Sequence, residues 1–505
     1  MSEPVTKNIT IIGGGTAGWL TALTMLQAGP PDHKIVLIES DEVGILGAGE
    51  GTVPFFPTHM FRVLGLDFYD FYKRTNATFK YGTRFVNWNN DGKDYLNSFT
   101  HPNKLDLLKR ILESVNKKQP IKDNCFFYKN LKNTPFSYNK QTGTYDMIMP
   151  YAFHFDAILL AEYLKEVAIA RGAIRIEGKV KAFKSDNNGN INNIILESGQ
   201  QVKTSFLFDC TGFKRMIIGE YYRSNWISYA KHLPAKKAIA FQHKIDLDNY
   251  NNCTDAIAMK YGWMWKIPLQ SRYGSGYVFD SDHITPDGAK KEVEQLLGHE
   301  IDVARTFSFE AGMYGKICVK NCIAVGLSTG FAEPLEATSL WATLMLLEAG
   351  IKQNFKNIFI NVNDQKPKDA LNNFYAEIVK QFLPAIQVHY LTKRKDTPFW
   401  KDFKKNNVIL DSITELIKRH KTIPLELDPL INESKAPPFG VEQWTMIFEG
   451  QGLLNKKLYP SSVEKVALMP QPTWEMLIKD PNRSSLLPNN MFNKTISKDW
   501  KFTGF

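Results

Sequence analysis

Residues 9–18 read Ile-Thr-Ile-Ile-Gly-Gly-Gly-Thr-Ala-Gly, and no other stretch restricts the fold so strongly. Four apolar or β-branched residues run straight into a glycine cluster, and Trp19 to Leu26 continue in a helical pattern. A buried strand, a tight turn and a helix start, in that order, open a dinucleotide-binding βαβ unit. Gly13 permits the turn, Gly15 lets the backbone approach a pyrophosphate, and Gly18 lets helix and strand pack closely. Unpaired N–H groups at the helix start, around Thr16 and Ala17, then suit the phosphates. A second apolar run, Ile35 to Ile38, ends at Glu39, which is 39 − 18 = 21 residues beyond Gly18. A ribose hydroxyl finds its acceptor at such a position. A strand–turn–helix without a ligand would need glycines, strands and acid to coincide for no reason.

At 505 residues the chain exceeds one simple domain, so two or three are expected. With 43% hydrophobic and 23% charged residues, and no run of 18 apolar ones, it reads as a soluble protein without a membrane span. The first strand arrives within ten residues and no basic-then-apolar leader precedes it, so no secretion signal is expected. Cys318 and Cys322 lack a second pair or histidines to complete a zinc site, and the five cysteines are otherwise scattered. A cytoplasmic setting and no metal are the expectation. The net charge of +10 comes from lysines spread along the chain, without a basic block, so no nucleic-acid partner is expected. Lys, Asn, Gln and Pro crowd Asn116 to Gly143 with little periodicity, which predicts a flexible insertion.

Later stretches add residues that carry chemistry. Small residues dominate Gly44 to Pro54, with Glu50 and Gly51 among them, as where backbone passes close to a flat ligand. Ala77 to Val86 reads as one strand, with Thr78, Lys80, Gly82 and Arg84 on one face. On those ten residues alone, Lys80 reads as a solvated edge residue. Tyr151 to Asp156 lead into an amphipathic helix through Leu164, and two strands then flank Asn188-Gly189-Asn190. Phe206 to Phe213 repeats the strand-into-small-turn pattern and carries Asp209 and Gly212. Trp263 and Trp265 share a face if Gly262 to Pro268 is extended, although such pairs more often pack a core than form a site. A further strand ends near Gly326, a small-residue loop follows, and a helix begins near Ala337. Its first N–H groups suit an anion. Glu336, just before it, reads equally well as a helix cap or as a functional carboxylate.

Together these residues resemble the flavin-dependent tryptophan halogenase family, from Ile9 to about Gly452. The Trp-x-Trp-x-Ile-Pro signature, here Trp263, Trp265, Ile267 and Pro268, separates that family from flavin monooxygenases. The stretch around Lys80 matches its catalytic-lysine segment, Pro334 to Thr338 its catalytic-glutamate segment, and His389 to Trp400 a C-terminal landmark. The resemblance implies an α/β fold: a discontinuous FAD-binding domain built on the GxGxxG βαβ unit, a mixed-sheet substrate layer and a C-terminal helical region. The expected bounds are 1–355 for the FAD-binding core, with the substrate layer from about 81–150 and 216–314, and 356–505 for the mainly helical substrate-side region. Implied FAD contacts are Gly13, Gly15, Thr16, Ala17, Gly18, Glu39, Ser40, Val43, Glu50, Gly51, Val180, Asp209, Gly212, Leu327 and Leu340.

The reaction implied uses reduced FAD, delivered by a separate flavin reductase through a transient encounter, together with O2 and a halide. The halide sits at the Thr338 and Ser339 amides and is oxidised to hypohalous acid. Trp263, Trp265, Ile267 and Pro268 wall the flavin off from a small, electron-rich aromatic of indole, phenol or pyrrole type. Lys80 receives the oxidant, with burial and the nearby Arg84 favouring a neutral amine, and Glu336 polarises the oxidant and takes the ring proton. His154 and Trp444 are the implied substrate contacts. Ala337 and Ser339 replace the serine and glycine that many members carry beside the halide, so bromide or iodide is expected to serve as well as chloride. Phe439 to Gly452 lacks the paired tyrosines with a following glutamate that hold free tryptophan in several members. The rival readings are a flavin monooxygenase hydroxylating an aromatic and a non-catalytic flavin-binding redox protein. Neither needs Lys80 or Glu336.

Overall fold

The computed structural model describes residues 8–42, 49–99, 104–432, 439–459 and 480–503. They pack as two compact units, each assembled from three separated chain segments.

One unit comprises Met1–Ala48, Asp156–Ala230 and Glu310–Lys380. Its centre is a six-stranded sheet among the described residues, in the order Ile174–Glu177, Lys34–Glu39, Asn8–Ile12, Phe206–Asp209, Cys322–Ala324, Cys318–Val319. The first five strands run parallel, and the last turns back antiparallel. Parallel strands covered on both faces read as unbroken apolar runs, which is the pattern of Ile9 to Ile12 and Ile35 to Ile38. The helix Thr16–Ala28 follows the glycine turn and buries Trp19, Leu20, Leu23 and Met25. It packs beside the helix Ala157–Ala170. Asp156 starts that second helix by accepting hydrogen bonds from Ile158 N and Leu159 N at 2.9 and 3.3 Å, a cap worth about 1 kcal/mol. The hairpin Val180–Ser185 and Ile191–Leu196 turns at Asp186, whose carboxylate accepts from the amides of Asn188 and Asn190.

The other unit comprises Gly49–Phe155, Lys231–Phe309 and Gln381–Phe505. Its seven-stranded sheet runs Val303–Ser308, Lys237–His243, Tyr273–Phe279, Gly262–Pro268, Thr254–Met259, Gly82–Val86, Asp94–Ser98. Neighbours are antiparallel except where Thr254–Met259 meets Gly82–Val86. Ile239, Met264, Tyr277, Phe279, Ala289 and Val293 form the core between this sheet and the helix Pro286–Leu297. A small sheet joins Gly49–Gly51, Ala152–Asp156 and Thr78–Lys80, and another joins Arg483–Pro488, Asn133–Asn139, Thr144–Met147 and Phe502–Thr503.

Three expectations change. Ala77 to Val86 is not one strand: Thr78–Lys80 pairs with Ala152–Asp156, whereas Gly82–Val86 pairs in the seven-stranded sheet. The chain changes sheets at Tyr81 and Gly82, where a Cβ on Gly82 would stand 2.2 Å from Asn97 O. Asn116 to Gly143 is not a structureless insertion. It contains the helix Phe126–Lys129 and the strand Asn133–Asn139, held between Thr144–Met147 and Arg483–Pro488 by main-chain pairing that composition does not reveal. The units interleave along the chain with other bounds than expected: 49–155, 231–309 and 381–505 form the second unit, where 81–150, 216–314 and the region from 356 were expected on the substrate side. Strands from distant segments complete each sheet, and local pattern does not carry that information. Helices do dominate 352–450, ahead of the strand Arg483–Pro488.

Candidate active site

Three turns converge at the carboxyl ends of parallel strands in the first unit, where open α/β sheets bind ligands. Gly13 has φ 110°, and a Cβ there would meet Cys210 O at 2.2 Å. Gly18 allows the helix onto the strand, since its Cβ would lie 1.9 Å from Gly13 O. Gly326 brings the third turn against Ala17, with 2.6 Å between its notional Cβ and the Ala17 Cβ. Gly15 and Gly212 have nothing within 4 Å of that position, and Gly13, Gly15, Thr16 and Ala17 are half-buried among buried neighbours. An open cradle of main-chain N–H groups fits a dinucleotide phosphate. Leu327 lies in the third turn, and Ser40 and Val180 are half-buried in the same unit. Val43 lies outside the described residues.

The acids beside this cradle are already engaged. Glu39 Oε1 accepts from Arg175 Nε at 2.6 Å, and Glu39 Oε2 occupies the space a Gly14 side chain would need. Gly14, which had no assigned role, is thereby explained. Asp209 is fully buried and accepts from Thr211 N and Oγ1, Ile217 N, Ile218 N and Ser328 Oγ, so it ties two of the turns together.

Glu336 is also in the first unit. The N-cap position of the helix Thr338–Met345 is held by Ala337, whose methyl group makes no capping hydrogen bond. Glu336 and Ala337 are consecutive left-handed residues, at φ 69° and 56°. Each costs roughly 1–2 kcal/mol outside glycine, and such strain is held where geometry matters. Left-handed Ala337 followed by helical Thr338 is a backbone sequence of the kind that forms anion-binding nests of successive N–H groups. Thr338 is buried, and Ser339 and Leu340 are half-buried.

Lys80, in the second unit, is 2% exposed, and the edge-residue expectation is overturned. The strand is short and its sheet is covered by a cluster of Phe71, Tyr72, Phe79, Phe136 and Phe153. A Cβ on Gly51 would meet Lys80 Nζ at 3.0 Å, Thr254 Oγ1 at 3.2 Å and His154 Cδ2 at 3.4 Å, so these groups gather around a bare backbone. Glu50 lies beside Gly51 in the same strand. Arg84 lies past the break at Tyr81, in the seven-stranded sheet and not in the strand of Lys80. Its guanidinium pairs with Asp255 at 2.8 and 2.9 Å and faces Asp94 at 3.5 Å, so its charge is matched locally.

His154 is fully buried between two threonines, which decides its tautomer. Thr78 Oγ1 donates to Pro268 O at 2.6 Å, so His154 Nδ1 donates to Thr78 Oγ1 at 3.2 Å. His154 Nε2 is then the acceptor for Thr254 Oγ1 at 3.0 Å. Burial, and next the charge of Lys80, hold its pKa well below the usual imidazole value. Pro268 ends the strand Gly262–Pro268, in which Trp263, Trp265 and Ile267 are buried, with the indole centroids 6.4 Å apart. Trp444 is buried on the helix Val441–Gly450, where Glu442 pairs with Arg110. Thr254 and Arg175 escape the sequence reading, and Gly326 reads there only as a strand end. Gly326 ended a recognised strand and carried a signal, whereas Thr254 and Arg175 have none outside the fold.

A profile of the tryptophan halogenase family matches residues 8–466. Tryptophan 7-halogenase RebH of Lentzea aerocolonigenes is 30% identical over 459 residues, covering 83% of each chain. Among solved structures, the tryptophan C-6 flavin-dependent halogenase of taromycin biosynthesis superposes with TM-score 0.83 at 28% identity, covering 97% of this chain and 99% of its own. A flavin-dependent halogenase from Xanthomonas campestris gives 0.78 at 27%, covering 96% and 99%. The family match spans segments of both units and takes in the glycine turns, Thr78–Lys80, Gly262–Pro268 and Glu336. The chain therefore belongs to the tryptophan halogenase family: it is a flavin-dependent halogenase, an oxidoreductase that uses FAD, O2 and halide to halogenate an aromatic substrate.

Proposed function

We propose that Lys80 carries oxidised halogen to an electron-rich aromatic ring and that Glu336 removes the proton this ring loses. The observation that supports it most is the burial of the Lys80 amine beside Gly51, Thr254 and His154, at a position that local sequence would give to solvent. Bound reduced FAD supplies, with O2, the oxidising equivalents that turn halide into hypohalous acid. Gly15 to Gly18 would receive its pyrophosphate, and the amides of Thr338 and Ser339 would hold the halide. Lys80 donates a hydrogen bond to hypohalous acid or, as a neutral amine, takes up its halogen and releases water. The ring then gains the halogen, and its proton passes by way of the Glu336 carboxylate to the departing oxygen or nitrogen, giving water or restoring the Lys80 amine. Trp263, Trp265, Ile267 and Pro268 keep the oxidising centre apart from the ring, and His154 and Trp444 border the substrate. An indole is favoured, since RebH acts on tryptophan by its name. Reduced FAD comes from a separate reductase, because the sequence has one dinucleotide fingerprint and no second one for a nicotinamide.

Supplying reduced FAD, O2, each halide and a panel of indoles, phenols and pyrroles, with products read by mass, tests this reading. Halogen-substituted products support it, and hydroxylated ones refute it. In the same assay bromide or iodide is expected to be used at least as readily as chloride, since heavier halides are easier to oxidise and Ala337 is smaller than serine. A clear chloride preference under matched conditions would contradict that.

The glycine turn separates two effects. Gly15→Ala is expected to weaken FAD binding while leaving stability within about 1 kcal/mol, because its side chain points into open space. Gly18→Ala is expected to lower both, by about 1–3 kcal/mol in stability, because it overpacks against Gly13 O. Titration with FAD and thermal melts distinguish them. Equal behaviour of the two variants would contradict the cradle.

A further inference from the structure

Lys80 and Tyr81 stand at the point where the chain leaves one sheet for another. Tyr81 lies in neither strand, and its N–H donates instead to the main-chain oxygen of Asn252 at 2.7 Å. Asn252 is fully buried, and its side chain is committed in two directions. Its Nδ2 donates to Asn133 O at 2.8 Å and to Asn489 Oδ1 at 2.9 Å. Asn489 Nδ2 returns a hydrogen bond to Asn252 Oδ1 at 2.9 Å. The result is a closed amide pair between residues 237 apart in sequence. Two residues beyond Asn252, Thr254 binds His154 in the group around Lys80. On the other flank of Lys80, Phe79 packs on Phe492 with ring centroids 5.3 Å apart. Tyr72, stacked on Phe79, donates its hydroxyl to Asn493 at 2.6 Å.

We infer that Asn489 is a positioning residue for Lys80, acting through Asn252. This rests on Lys80 being the carrier of the oxidised halogen. A buried amide pair brings little net stability compared with apolar side chains of similar shape, but it admits one arrangement of its partners. Here those partners are the main chain beside Lys80 and the start of the strand bearing Thr254. Loss of Asn489 leaves a buried Asn252 acceptor unsatisfied, and Asn252 moves to satisfy it, taking the Tyr81 bend with it. A displacement of about 1 Å at a reacting group can cost about 10²-fold in rate.

The test uses the full-length protein with reduced FAD, bromide and an indole accepted by the wild type. Two quantities are measured: hypohalous acid captured by a dissolved phenolic dye, and halogenated indole formed per hypohalous acid produced. Asn489→Leu keeps the branching and the number of heavy atoms and removes both hydrogen bonds. Asn489→Ser removes them with less steric demand, and answers the question if the leucine variant does not fold. The expected result is FAD binding and hypohalous acid formation near wild type, with at least about tenfold less product per hypohalous acid. The kcat for halogenation falls while KM for the indole stays. A folded variant with wild-type yield overturns the inference, and so does a parallel loss of hypohalous acid formation, which marks general damage. If Lys80→Ala keeps full yield, the reading of Lys80 fails instead, and the two failures are told apart.

Discussion

Lys80→Ala is expected to abolish halogenation while FAD still binds and hypohalous acid still forms. The glycine turns and the Thr338 helix start lie in other segments of the chain, so neither cofactor binding nor halide oxidation depends on this amine. What is lost is the group that holds the oxidised halogen for the ring. Because Lys80 is buried, truncation to alanine also removes packing, and Lys80→Met serves as the control. It retains an unbranched stem of similar length without the amine, so the same loss in both variants assigns the effect to chemistry and not to a cavity. The measurement is halogenated product against trapped hypohalous acid. Full turnover by either variant would remove the basis for calling Lys80 catalytic.

Glu336→Gln is expected to reduce kcat by about 10²–10⁴-fold, the range for losing a general base, with FAD and halide binding retained. Glutamine keeps the size and the left-handed backbone demand but cannot take the ring proton. The capping interpretation makes a different forecast, a loss of about 1 kcal/mol of stability with turnover unchanged. Ala337, one residue later, holds the N-cap position of that helix. Steady-state rates and thermal melts on the same preparation separate the two, and unaltered kcat would sink the catalytic assignment.

Local pattern carried a good part of this. Strands Asn8–Ile12 and Lys34–Glu39, the helix between them and the hairpin around Gly189 follow from apolar runs and turn residues, because such elements are decided by neighbours in sequence. The resemblance to the halogenases rested on contiguous motifs such as Trp263 to Pro268, and these are read without a fold.

Other features depend on partners that are distant in the chain. Lys80 looks solvated over ten residues, and its burial follows from Ala152–Asp156 and from the aromatic rings packed over its strand. Arg84 looks like a neighbour of Lys80, yet the break at Tyr81 sends it to Asp255. Glu336 reads as an ordinary helix-start carboxylate, and only the structure makes it and Ala337 consecutive left-handed residues. Asn489 carries no signal at all, because its meaning lies in Asn252. Sequence by itself determined many of the secondary elements, the glycine turn after Ile12 and the family, since those depend on short-range sterics, hydrophobic period and contiguous motifs. Burial, ion pairing and backbone strain depend on which remote segments meet, and only the tertiary structure decided those.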